Sequence, residues 1–459
     1  MSDPADLGVL EAAEQLSSGQ LSSRELTGAC LRRIEARNGG APTLDGAPDR
    51  INAWARVYPD IAREHAEAAD ARRARKGDDT PLVCGIPIGL KDLYAVAGLP
   101  LTASSRVLEG NVPAQDSTVW RRLHGQGMVL LGHTHTHEFA AGGTTDQSGN
   151  PWALDRIAGG SSGGSAAALA ARMTPAALGS DTCGSLRIPS ACCGTSTIKP
   201  TRGQIPLDGV IPLASSLDHP GPMGRTVADC AAVLSAMAAG DALPLAARAG
   251  NHPLDGVTIA LTDRPNQIPL ETEVAQGLDE AAQACRNLGA RVIERPAPWA
   301  LDWDDLSRVL MTEAWQYHRG HADRHDRYRE QVAEFVEAAR DFADGDGYAG
   351  AQERRLVGTA TWEDWFAREG VDLLLEPTLP ILPLERGPGY DRGHPAGPGD
   401  PLIAFTAMWD VTGMPVACLP VSWSVGVSLV APRGREAPLV QAAIDLQEHA
   451  LGIPGDPLA

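Results

Sequence analysis

Along the first 75 residues, apolar side chains recur at the spacing of a helix. In "LSSRELTGACLRRI", Leu26, Cys30, Leu31 and Ile34 share one face. Ser22, followed three residues later by Glu25, has the pattern of a capping box. Residues 1–75 therefore read as a helical scaffold. From Pro81 the pattern changes to short apolar runs broken by Gly and Pro, such as "CGIPIGLKDL" and "GMVLLGHTHTHEF". Such runs suit strands buried on both faces and alternating with helices, which predicts an α/β core over about 81–235. Further on, "DGVTIALTD" (255–263) and "ARVIERP" read as strands on either side of a helix at 278–288. Residues 302–368 read as charged helices carrying Trp315, Tyr317, Phe335, Trp362, Trp365 and Phe366, which are expected in the core. "VDLLLEPTLPILPL" returns to strand, 387–400 is a Pro/Gly-rich loop, and "SVGVSLVAP" then "LVQAAIDLQEHA" close the chain as strand and helix. With no internal repeat and no linker, residues 1–459 are expected to form one domain.

Composition narrows the function classes. The 39 basic and 58 acidic residues give a net charge of −19, so nucleic acid and anionic membrane surfaces are repelled on average. The amino-terminal "MSDPADLGVLEAAEQ" is acidic where a secretory signal is basic, and no apolar run is long enough to span a membrane. The eight cysteines contain no C-x-x-C pair and are too sparse for a disulfide framework. A reducing cytoplasmic setting is expected, with the cysteines as small buried side chains.

Three stretches could carry chemistry. "HTHTHE" sets His133, His135 and His137 two apart, on one face if the stretch is a strand, as in some metal-dependent amidohydrolases. The remaining histidines are scattered, so a polar strand end accounts for the run better. Gly159 to Gly163 fits G-x-S-x-G around Ser161, but Gly160 to Gly164 fits it equally around Ser162. The preceding "NPWALDRIAG" also lacks the apolar strand that a nucleophile elbow requires. Lys91 ends the apolar run "GIPIGLK"; a lysine desolvated there would have a lowered pKa and could act as a base. Downstream, "GSDTCGSLRIPS" offers both Cys183 and Ser185 as nucleophiles.

The stretch "GGSSGGSAAALAARMTPAALGSDTCGSLRIPSACCGTSTIKPTRG" resembles the signature of the amidase signature family, serine hydrolases of C–N bonds. The likeness extends through "GIPIGLKDL", "HEFAAGG", "SLDHPGPMGRTVADCA", "TGMPVACLPV" and "VGVSLVAP". The resemblance implies an α/β fold with a large, twisted mixed sheet covered by helices on both faces, a signature core over 81–235, and a pocket bordered by 302–368. It implies Ser185 as nucleophile, Ser161 as a bridging serine after a cis peptide, and Lys91 as base, with no cofactor and no metal. The backbone N–H groups of Thr182, Cys183 and Gly184 would form the oxyanion hole, and Asp181 and Arg187 would pair to support the loop. Small-molecule amides, carbamates or esters are the implied substrates of a monomer or homodimer. Cys183 stands where the commonest family pattern, D-T-G-G-S, has its first glycine, so that Cys183 contributes a backbone N–H and shapes the pocket. Asp410 stands where asparagine is usual, in a region that often borders the substrate. The family also includes the subunit that transamidates mischarged transfer RNA; that type keeps both glycines, and the negative charge here favours free-standing hydrolysis.

Overall fold

The computed structural model describes residues 3–238, 253–343, 347–387 and 400–459. Its strands are β1 (Trp54–Val57), β2 (Pro87–Lys91), β3 (Val129–Thr134), β4 (Gly149–Asn150), β5 (Ala153–Ile157), β6 (Ala176–Asp181), β7 (Ser196–Lys199), β8 (His219–Gly224), β9 (Thr258–Leu261), β10 (Arg291–Glu294), β11 (Leu373–Pro377), β12 (Val416–Pro420) and β13 (Gly426–Val430). Eleven of them form one sheet in the order β1-β3-β2-β6-β8-β7-β12-β13-β11-β9-β10, and β4 pairs with β5 apart from it. The sheet is mixed: β3, β2 and β6 run parallel, as do β11, β9 and β10, while antiparallel strands join the two groups.

The central strands are buried along their whole length because both faces are covered. Along β11, Leu373 and Leu375 enter one core while Leu374 enters another with Trp362, Trp365, Phe366 and Trp409. Val427 and Leu429 of β13 face the first core and Val430 the second. This alternation follows from the two-residue repeat of a strand. The helix Tyr348–Glu369 supplies Trp362, Trp365 and Phe366 of the second core, whereas Thr272–Asn287 packs its apolar stripe on the opposite side of the sheet.

The capping box is formed as the sequence predicts: Ser22 precedes the helix Ser23–Arg37 and Glu25 bonds back to it. Three local readings need correction. The first 75 residues include the strand β1, which pairs antiparallel with β3 at the sheet edge. Its four residues, Trp-Ala-Arg-Val, are too short for a period to show. The polar "ALDRI" stretch is a strand, β5, half-exposed in its own hairpin rather than apolar within the main sheet. Of the aromatics in 302–368, Trp362, Trp365 and Phe366 are core and Trp315, Tyr317 and Phe335 are partly buried against the first core, but Phe335 also lines a cavity. The Pro/Gly-rich loop lies almost wholly outside the described residues.

Candidate active site

Two parallel strands set the site. β2 and β6 are neighbours, with Leu90 opposite Leu178, so Lys91 and Ser180 both emerge at the carboxyl ends of their strands. Lys91 is fully buried. Its Nζ donates to Ser161 Oγ at 2.7 Å and to Ser180 Oγ at 2.9 Å. Burial lowers the Lys91 pKa to about 7, with the nearby carboxylates of Asp181 and Asp218 opposing part of the fall. No carboxylate lies within ion-pair distance of it among the described residues, so the neutral amine is reached near neutral pH rather than far on the alkaline side.

Ser161 sits on the loop between β5 and the buried helix Gly163–Ala170. The Gly160–Ser161 peptide is cis. A Cβ at position 160 would collide with the Thr144 carbonyl, so glycine is required there. The Ser161 carbonyl accepts from His137 N–H at 3.0 Å and from Thr145 Oγ1 at 2.9 Å, which fixes the turn. The next residue, Ser162, donates its N–H to the Ser185 carbonyl at 3.3 Å and so ties the two serine segments together.

Ser185 opens the turn into the helix Arg187–Cys193 and borders a cavity of 60 Å³. Cys183, Ile188, Leu213, Leu310, Phe335 and Ile403 supply its apolar walls, with Thr182, Asp400 and the backbone of 140–143 completing it. The Cys183 thiol is pushed well above its usual range by burial and by the carboxylates of Asp410 and Asp181, so it is not a thiolate near neutrality.

Beneath this loop lies a buried charge cluster. Arg187 Nε and Nη2 donate to Asp181 at 2.9 and 3.1 Å, while Nη2 also reaches Asp410 Oδ2 at 2.5 Å and Nη1 the Thr406 carbonyl at 2.9 Å. Burial alone would raise the Asp181 pKa, but the Arg187 guanidinium holds it well below the usual carboxylate range. Asp181 Oδ1 accepts the Gly184 N–H at 2.5 Å and Oδ2 accepts the Leu186 N–H at 3.2 Å. The Gly184 N–H, expected at the oxyanion site, is therefore turned toward an ionised carboxylate three residues earlier, as short polar side chains in turns often arrange. Asp218 Oδ1 accepts from Thr182 Oγ1 at 2.6 Å, and its carboxylate gathers the N–H groups of Leu213 and Ala214. Burial raises the Asp218 pKa to about 6.

Asp410 does not border the described part of this cavity: it is fully buried against Arg187, with its other oxygen 3.3 Å from His219 Nδ1. The three histidines of "HTHTHE" are not gathered. His133 meets the Tyr58 hydroxyl at 2.9 Å and the Tyr94 carbonyl at 3.0 Å; His135 meets Ser104 and Gln147 on one nitrogen and the Thr43 carbonyl on the other. β3 ends at Thr134, so His135 and His137 lie beyond the strand that would have aligned them. Among the described residues no group of His, Cys, Asp and Glu has the proximity to hold a metal. All eight cysteines are free and buried. No described helix is long and apolar enough to cross a membrane.

Ser180 is the residue that sequence reasoning missed. Nothing in "ALGSD" singles it out; only the parallel placement of β2 beside β6 brings its hydroxyl to Lys91.

The amidase family profile matches residues 42–440, and the chain belongs to that family. It is an amidase-family enzyme, of a family that hydrolyses C–N bonds. The chain is 40% identical to the A subunit of the glutamyl-tRNA(Gln) amidotransferase of Roseiflexus sp. (strain RS-1) over 64% of its own length and 60% of that protein's. To the same subunit of Synechococcus sp. (strain WH7803) it is 33% identical over 97% of both chains. Among solved structures, the peptide amidase of Stenotrophomonas maltophilia superposes with a TM-score of 0.81 at 27% identity, covering 99% of this chain and 98% of that one.

Proposed function

We propose that the protein is a free-standing serine hydrolase of small-molecule amides that uses Ser185 as nucleophile, Ser161 as proton bridge and Lys91 as base. The observation that carries this reading is the fully buried Lys91, with a pKa near 7, bonded to Ser161 on the segment tied to Ser185. Neutral Lys91 takes the Ser161 proton as Ser161 takes that of Ser185, so a base one residue removed from the nucleophile acts through a relay. Ser185 Oγ bonds to the amide carbon, and the oxygen becomes an anion stabilised by the backbone N–H groups of Thr182 and Cys183. The C–N bond then breaks as the relay returns its proton to the leaving amine. Water, activated by the same relay, releases the acyl group and regenerates Ser185.

A carbamate presents the same carbonyl with an amine leaving group, so urethane cleavage through a carbamoyl-enzyme belongs to the same reading, as do activated esters. The likeness to amidotransferase subunits supports a second reading, in which glutamine is the amide donor within an assembly. The walls beside Ser185 favour the first: they are chiefly apolar, with Asp400 the single charged side chain among the described lining residues. Side-by-side assay of an anilide, an aliphatic amide, an aryl ester, a small dicarbamate and glutamine tests the choice. Hydrolysis of anilide or carbamate by the isolated chain supports it, and ammonia release from glutamine alone overturns it.

A further inference from the structure

A second cavity, of 490 Å³, adjoins the first. The segment 400–408 borders both: Asp400 and Ile403 line the small cavity at Ser185, whereas Asp400, Pro401, Ala404 and Met408 line the large one. The large cavity falls in the size range of small-molecule sites, whereas 60 Å³ is the space of about two water molecules. Trp299, Leu301, Trp303 and Ile381 give the large cavity a broad apolar and aromatic lining.

The one cationic side chain among the described lining residues of the large cavity is already matched. Arg264 Nη1 donates to Glu376 Oε2 at 2.5 Å, and Nη2 donates to the carbonyls of Ala404 and Phe405 at 3.2 and 3.3 Å. Its guanidinium carbon lies 5.3 Å from the Phe405 ring centroid and 5.4 Å from that of Trp409. Among the described lining residues a ligand carboxylate would find no unmatched cation.

We infer that this cavity receives a bulky, neutral aryl end of the substrate while a small substituent occupies the space beside Ser185. The inference rests on the amide-hydrolase reading above and adds to it the shape of the substrate: one end small, the other aromatic and uncharged, with the scissile bond near Asp400.

Two variants that fill the cavity from different lining segments test it, Ala404→Trp and Ile381→Trp. Neither residue belongs to the proposed relay. Each is assayed with propionamide and with two biaryl amides, 4-acetamidobiphenyl (aryl on the amine) and 4-phenylbenzamide (aryl on the acyl group). At least one variant is expected to raise KM tenfold or more for one biaryl amide, with propionamide kcat/KM kept within twofold. Binding of the same biaryl to Ser185→Ala, measured calorimetrically, should weaken to the same degree when the filling substitution is added. The inference is overturned if both variants slow all substrates alike, if neither changes KM, or if Ser185→Ala binds neither biaryl. Failure of the nucleophile assignment reads separately, as turnover retained by Ser185→Ala.

Discussion

Lys91 Nζ lies 2.7 Å from Ser161 Oγ, and both side chains are sealed from solvent, Lys91 at the carboxyl end of β2 and Ser161 on the loop after β5. A buried amine beside a hydroxyl is a base rather than a cation. With a pKa near 7, kcat/KM for an amide should rise as pH rises through about 7 and level off on the alkaline side, because only the neutral amine accepts a proton. Lys91→Met should reduce kcat/KM by about 10²- to 10⁴-fold. A wild-type rate at pH 5 equal to that at pH 9 would contradict this assignment.

The same group makes a prediction for stability. The folded pKa of Lys91 is depressed from 10.5 to about 7, so between these values the unfolded chain binds the extra proton and stability contributed by this site increases with pH. Lys91→Met removes that slope. Its gain in Tm over the wild type should therefore be larger at pH 7 than at pH 10, as read by paired thermal melts.

Ser180 gives Lys91 its second acceptor at 2.9 Å. Acceptor bonds favour the ammonium form, so Ser180→Ala should move the midpoint of the pH–rate profile below about 7. A drop of roughly tenfold in kcat is expected from a loosened base. A pure folding role would lower activity at every pH without moving the midpoint.

Cys183 borders the small cavity, and its thiol is held well above the ordinary range. Cys183→Gly should preserve turnover of acetanilide while lowering KM for acyl groups larger by one or two methylenes, by about 10-fold at most. Iodoacetamide at pH 8 should label it slowly. Abolition of activity in Cys183→Ser would return the cysteine to candidacy as nucleophile.

Arg187 joins Asp181 and Asp410 and is fully buried with them. Arg187→Met leaves the Asp181 carboxylate without its cation, which costs about 3–5 kcal/mol. Urea unfolding should show that loss. In the wild type the depressed Asp181 contributes stability that is present above the ordinary carboxylate pKa and lost as pH falls through its lower folded value, so Arg187→Met should flatten the acid limb.

The legible parts of this chain were those in which local chemistry agrees with the fold. Ser22 and Glu25 announce a helix, and the short apolar runs at β2 and β3 announce strands covered on both faces. Position along the chain also marked Lys91 as unusual, because it ends such a run. The contacts across the sheet were not legible. Ser180 reaches Lys91 through strand order, Asp410 reaches Arg187 from 223 residues away, and Phe335 comes to line the same cavity as Ser185. Gly184 shows a different limit: a backbone N–H carries no mark in the sequence of which acceptor it will meet, and here it meets Asp181.

The most direct measurement is amide hydrolysis by Ser185→Ala, paired with fluorophosphonate labelling of the wild type. The account predicts that kcat/KM falls by about 10³-fold or more and that a single serine, Ser185, is labelled. Undiminished hydrolysis by Ser185→Ala, or labelling at Ser161 or Ser162 in its place, would contradict it.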